Sequence, residues 1–321
     1  GARGLADAEA SCRALAEVAG CLPEQVLPFS TGVIGEYLPV ERIAAQLPEA
    51  LLGLSQEGWP RAARAIMTTD TRPKLAERRV RFGGCTATLV GIAKGAGMIR
   101  PNMATMLAFL ATDAAIAPEL LQAWLSRAAD RTFNRISIDG DTSTNDACVL
   151  SAAGTLGNAL ITSESDPDAV AFYAALESLC DELATAIVRD GEGATKLVRV
   201  EVREAASEAE AVRVAETIAH SPLVKTALTA SDPNWGRILA AVGRAGLENL
   251  NIDAVRIWLD ETLIVSDGGR DPAYAEAAGK SVMSQDAFSI VVALSRGSAQ
   301  THLLTCDLSC DYVRINADYR T

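Results

Sequence analysis

Thr105 is the residue in this chain best placed to do covalent chemistry. It stands near the end of Lys94-Gly-Ala-Gly-Met-Ile-Arg-Pro-Asn-Met-Ala-Thr-Met-Leu107, directly after the small Ala104. A neutral threonine hydroxyl is a weak nucleophile and needs a nearby base. If the bond before Thr105 is cut, the freed α-amine of the same residue becomes that base. The hydroxyl can make the cut itself by attacking the Ala104 carbonyl, because two glycines and a small residue leave room for the approach. By spacing alone a plainer reading is favoured, a Gly/Pro hairpin loop with a surface threonine.

Four other stretches carry chemistry-bearing side chains. Ser30-Thr-Gly-Val-Ile-Gly35 follows a short apolar run and suits a turn with exposed backbone N–H groups. Such groups stabilise an oxyanion when they are aimed at a reacting carbonyl; an ordinary turn is the alternative. Met67-Thr-Thr-Asp-Thr-Arg-Pro-Lys74 interleaves hydroxyls with an acid and two bases, which also suits a solvated loop. Asp190-Gly-Glu-Gly-Ala-Thr-Lys196 flanks Glu192 with glycines, so its carboxylate can reach a pocket without bulky neighbours, or simply stop a helix. Ser137-Ile-Asp-Gly-Asp-Thr-Ser-Thr-Asn-Asp146 has three aspartates and a glycine. It lacks the acid at the twelfth position that a calcium loop needs. Seven cysteines at irregular spacing fit reduced, mostly buried thiols. The only close pair, Cys306 and Cys310, has no further ligands at zinc spacing, so no metal is expected.

These residues must be positioned by elements that the patterning supplies. Strands are expected over 78–82, 86–93 and 106–110, flanking the Thr105 loop. Helices are expected over 4–20, 40–52, 60–66, 118–133, 166–188, 206–220 and 274–283, the first ending at Gly20. Further strands are expected over 197–202, 223–228, 288–295 and 302–308, with a strand pair over 255–265 turning at Asp260-Glu261. Asp232 and Pro233 read as the cap and first position of a helix. The length of 321 residues allows one large or two ordinary domains. The softest composition shift, at 203–210, places the division between 1–204 and 205–321.

Hydrophobic residues make up 49% of the chain and charged ones 22%, a globular composition. The net charge of −12, from 29 basic and 41 acidic residues, argues against nucleic acid and an anionic membrane surface. Small polar metabolites are the natural ligands. No apolar run reaches the roughly eighteen residues of a transmembrane helix. No secretory signal is visible, and a cytoplasmic location is expected.

The loop wording resembles the self-cleavage segment of the ornithine acetyltransferase family, the glutamate N-acetyltransferases of the cyclic arginine pathway. The resemblance extends over nearly the whole chain, through the 30–35, 137–146, 190–196 and 231–237 stretches to Tyr312-Val-Arg-Ile-Asn-Ala-Asp-Tyr-Arg-Thr321. It implies cleavage between Ala104 and Thr105, with Thr105 then carrying the acetyl group. Thr31 and Gly32 would supply the oxyanion hole. Thr68, Lys94, Glu192, Asn316 and Thr321 would bind substrate, Glu192 facing the side-chain ammonium of ornithine. Support by hydrogen bonds is expected from Asn145 or Asp146. Family members also carry a substantial segment ahead of the position of Gly4.

The expected fold is α/β, a four-layer α/β/β/α lobe followed by a smaller C-terminal α/β lobe. The expected reaction moves the acetyl group of N2-acetylornithine to glutamate by ping-pong chemistry, with no cofactor. Some family members also accept acetyl-CoA. The expected assembly is two fragments of one precursor, paired again into a heterotetramer. An N-terminal-nucleophile amidohydrolase or aminopeptidase, with water as acceptor, is the alternative. An uncleaved binding protein is the third reading.

Overall fold

The computed structural model describes residues 1–82, 84–100 and 106–318. Helices α1 (Ala2–Ala19), α2 (Val40–Leu52) and α3 (Trp59–Ala65) come first. The first ends as its sequence demands, with Gly20 in the left-handed region at φ 71° and its N–H on the Ala16 carbonyl. Strands β1 (Lys74–Phe82), β2 (Cys85–Lys94) and β3 (Leu107–Thr112) follow, then α4 (Pro118–Arg131), β4 (Ile136–Ser137) and β5 (Ala147–Ala152). Helix α5 (Pro167–Arg189) leads to β6 (Leu197–Ala205), α6 (Glu208–Ala219), α7 (Pro222–Thr229) and α8 (Trp235–Gly243). The chain continues through β7 (Arg256–Leu259), β8 (Thr262–Ser266), β9 (Gly269–Arg270), α9 (Glu276–Met283), β10 (Ala287–Ala293), β11 (Ala299–Cys306) and α10 (Cys310–Asp318).

The expected α/β class holds. A four-stranded sheet runs β1-β2-β3-β5, and a seven-stranded sheet runs β4-β11-β6-β10-β7-β8-β9. Helix α5 serves both. Asp166 caps it by accepting from Asp168 N at 2.9 Å, and Pro167 fills its first position. Phe172, Leu176, Leu179, Leu183 and Ile187 recur at helical spacing and are fully buried. One buried cluster joins these residues to Ala76, Val80 and Leu89 of the small sheet and to Leu304 and Cys306 of β11. A second cluster sets Val198, Val200 and Val202 against Ala211, Val214 and Ile218 of α6 and Ile238 of α8.

Register fixes what the small sheet gathers at one end. Lys74 opposes Ala93, Lys94 opposes Leu107, and Leu107 pairs in parallel with Ala147. The beginnings of β1, β3 and β5 therefore lie beside the end of β2. Met106, the residue after Thr105, is buried there and its carbonyl accepts from Ala147 N at 3.0 Å.

Three local expectations are corrected. Residues 223–228, read as a strand, lie in helix α7. Ser221 caps that helix and Pro222 occupies its first position, and the buried residues Val224, Ala227 and Leu228 have helical spacing. The next helix begins after Asn234, whose side chain accepts from Arg237 N, rather than after Asp232. Residues 302–308, expected as a strand, contribute to β11 only as far as Cys306, beyond which Asp307 turns to bind the N–H groups of Thr195 and Lys196.

Candidate active site

Lys94 ends β2 almost wholly buried, with 8% of its surface exposed. Burial lowers the pKa of its ammonium; Asp70, Asp146 and Glu192 oppose that shift, and Lys74 adds to it. Glu192 follows helix α5, and its backbone N–H donates to the Ala96 carbonyl at 2.8 Å. Its carboxylate lies flat against Gly97, where a Cβ would come within 2.5 Å of Oε1 and closer still to Oε2 and Cδ. Asn316 on α10 donates to Glu192 Oε2 at 2.8 Å. Three residues expected to bind substrate are thus brought to one end of the small sheet, an ammonium and an amide-capped carboxylate among them. That pairing suits a zwitterionic ligand with a carboxylate and an ammonium to place.

The other expected residues are placed less directly. Thr68 is exposed, on the loop before β1, and its N–H donates to Asp70 Oδ2 at 3.1 Å. Thr31 and Gly32 lie on an exposed loop, which Asn145 ties to the 137–146 run by donating to the Ser30 carbonyl. Phe29 rests against Phe109 of β3 with ring centroids 5.1 Å apart, so the same loop is anchored to the small sheet. Ala104, Thr105 and Thr321 lie outside the described residues.

The 137–146 run does its work with Asp139, which sequence reasoning passed over. Its carboxylate accepts from Met98 N at 2.6 Å and Ile99 N at 2.9 Å, and the Ile99 carbonyl accepts from Ile138 N at 2.8 Å. Met98 is held at φ 56°, a left-handed conformation that costs a non-glycine residue about 1–2 kcal/mol. Two charge-assisted bonds to adjacent N–H groups offset that strain. Tyr312 of α10 also donates to Asp139, at 3.3 Å. Burial and the neighbouring Asp139 raise the Tyr312 pKa, which keeps the phenol a donor. Tyr312 and Asn316 stand four apart on one helix, so α10 bridges Asp139 and Glu192. A helical tail that closes on two acids was not legible in its composition.

Asp146 has a different surrounding. Burial pushes its carboxyl up to about 7, against the pull of Lys94 and of the Met106 N–H, and among the described residues its Oδ2 has no hydrogen-bond partner. Beneath the site lies an ion cluster. Lys74 reaches Asp70 Oδ1 at 2.6 Å and Asp190 Oδ2 at 2.7 Å. Burial alone would raise the pKa of Asp70, but Lys74 and the N–H groups of Gly95 and Thr68 hold it below its ordinary value. The sequence signal was the acid and bases of 67–74; its distant partner Asp190 carried none. Among the described residues no group of three or more His, Cys, Asp or Glu side chains is placed to hold a metal ion. None of their helices is long and apolar enough to cross a membrane.

Comparison with known proteins identifies the family. The crystal structure of arginine biosynthesis bifunctional protein ArgJ from Bacillus halodurans, at 2.00 Å resolution, matches with a TM-score of 0.62. It is 43% identical, and the match covers 66% of this chain and 98% of that one. The arginine biosynthesis bifunctional protein ArgJ of Methylococcus capsulatus is 61% identical over 321 residues, all of this chain and 78% of the relative. The ArgJ family model matches residues 1–321, and the chain belongs to the ArgJ family.

Proposed function

We propose that this chain moves the acetyl group of N2-acetylornithine to glutamate through an acetyl-Thr105 intermediate, after cutting itself between Ala104 and Thr105. As a member of the ArgJ family it is an acetyltransferase of arginine biosynthesis acting on small molecules. The observation that carries the proposal is the meeting of Lys94, Glu192 and Asn316 at the end of the small sheet where β3 begins. Lys94 faces the substrate α-carboxylate, and Glu192, oriented by Asn316, faces the ornithine ammonium. Thr68 and Thr321 complete the binding groups.

Thr105 Oγ attacks the acetyl carbonyl while its own α-amine takes the hydroxyl proton. The N–H of Gly32 and the hydroxyl of Thr31 hold the oxyanion; each such donor is commonly worth about 2.7–4 kcal/mol. Collapse breaks the amide C–N bond, and the α-ammonium returns the proton to the departing ornithine amine. Glutamate then enters and its neutral amine attacks the acetyl ester; the Thr105 α-amine takes a proton from that nitrogen and hands it to Oγ as the ester C–O bond breaks, which restores the hydroxyl. The fragments 1–104 and 105–321 pair into a heterotetramer in the cytoplasm.

Denatured mass of the purified protein, before and after brief exposure to N2-acetylornithine, tests this. Two fragments meeting at Ala104/Thr105, with one acetyl group on the second, are expected, and glutamate should discharge that group. Acetyl-CoA supplied instead reveals whether a second donor is used. An adduct that water discharges as fast as glutamate does would replace the transferase with an amidohydrolase. An intact, unmodified chain would refute the proposal.

A further inference from the structure

The reaction above assigns no task to Asp70, Lys74 or Asp190, yet they form the least exposed ion pairs among the described residues, with side chains 0%, 2% and 7% accessible. We propose that Lys74 is a positioning residue that, through Asp70 and Asp190, holds Thr68, Lys94 and Glu192 in register with one another; this rests on the acetyl-transfer reading of the same site.

The Lys74 ammonium meets Asp70 Oδ1 at 2.6 Å, Asp190 Oδ2 at 2.7 Å and the Arg72 carbonyl at 3.4 Å. Asp70 uses its remaining capacity on backbone, accepting from Gly95 N at 2.7 Å and Thr68 N at 3.1 Å. Asp190 accepts from Thr71 N at 3.0 Å, from Arg72 N at 3.3 Å and from the Thr71 hydroxyl. Three stretches remote in sequence are therefore tied together, two of them at the Lys74 nitrogen and the third through Asp70. The first contains Thr68, the second joins Lys94 to Gly95, and the third runs from Asp190 to Glu192.

Stability alone does not account for this cluster, because well-packed apolar side chains usually hold loops together as firmly as a buried ion group. Charge adds direction, since each carboxylate oxygen accepts specified N–H groups. It also adds a field. Lys94 is faced by Asp70, Asp146 and Glu192, which favour its charged form, and by Lys74, which opposes it. Removing the Lys74 charge therefore raises the Lys94 pKa and moves the alkaline limb of activity to higher pH.

Lys74→Met in the full-length protein tests the proposal. Misplacement of binding groups on the ångström scale predicts a fall in kcat/KM for N2-acetylornithine of about 10- to 100-fold, carried mainly by KM. The alkaline limb should move up by a measurable fraction of a pH unit. A folded variant with wild-type KM and an unmoved limb overturns the proposal. So does a lower kcat with both unchanged, the mark of fewer folded molecules. Should Lys74→Met fail to fold, Asp190→Asn decides: it keeps the Lys74–Asp70 pair and should raise KM, and a wild-type KM overturns the proposal. Wild-type protein without acetyl transfer defeats the acetyl-transfer reading, whereas active wild type beside an indifferent Lys74→Met defeats only this inference.

Discussion

Gly97→Ala separates activity from stability. The backbone of Gly97 is outside the left-handed region, so alanine can occupy it without strain. The new methyl carbon would stand 2.5 Å from Glu192 Oε1 and closer to Oε2 and Cδ, where ordinary contact begins at 3.4 Å. Glu192 must withdraw by about 1 Å, which its flexible side chain can do. Asn316 cannot follow, because α10 is also held through Tyr312 and Asp139. A displacement of about 1 Å in a binding group costs up to about 100-fold in rate, or about 2.7 kcal/mol of transition-state stabilisation. The bond lost to Asn316 is exposed and contributes no more than about 1 kcal/mol to folding. Steady-state kcat/KM for N2-acetylornithine should fall by roughly that 100-fold, while the thermal midpoint barely moves. In Glu192→Ala the three atoms nearest the methyl are gone, so the double variant should match Glu192→Ala alone. Wild-type kcat/KM in Gly97→Ala, or additive losses in the double variant, would refute the reasoning.

Gly193→Ala should behave in the opposite way. Gly193 sits at φ 67°, and a Cβ there would come within 2.8 Å of Ser309 Oγ and closer to the Tyr312 backbone nitrogen, so backbone must shift. Denaturant unfolding should show a loss of about 1–3 kcal/mol; an unchanged midpoint would mean that α10 docks differently. Asp139→Ala frees the N–H groups of Met98 and Ile99, and gel densitometry after expression should show slower conversion of precursor to fragments. Equal conversion would remove Asp139 from the maturation of the loop. For Asp146 the sign follows from its pKa, about 7 in the folded protein against an ordinary 3.8. Between those values the folded state binds the extra proton, so this group's contribution to stability is full at low pH and is lost as pH rises through 7. Asp146→Asn should therefore gain on wild type from pH 4 to pH 8 in parallel melts, and the reverse trend would refute the assignment.

What could be read from the sequence was whatever is encoded locally. Gly20, the 166–188 and 40–52 helices and the Asp260-Glu261 turn each announce themselves within a few residues. Helix α7 was misread because a short apolar run has no clear period, although Ser221-Pro222 carried the decisive signal. Asp139 and Asp190 were illegible for another reason. Met98 lies 41 positions from Asp139 and Lys74 lies 116 from Asp190, and only the folded sheet brings them together. The motif stretches pointed to where polar groups concentrate. They did not say that Asp139 braces the 98–99 loop or that Asp190 pairs with Lys74.

The pairing of β2 with β3 has a consequence for the lifetime of the protein. A cut at Ala104–Thr105 would fall between two strands joined over six residue pairs, Leu89↔Thr112 to Lys94↔Leu107. Folding before the cut is unimolecular, with the connecting loop keeping the two strands close. Afterwards the same ladder joins separate chains, and β1 and β2 of the first remain packed under α5 of the second. Unfolded halves would then have to find each other by diffusion, so recovery after denaturation would depend on concentration. The orphaned β2 would present an open strand edge, inviting aggregation. Self-cleavage would in this way turn an equilibrium fold into one that endures only as long as its first unfolding is delayed.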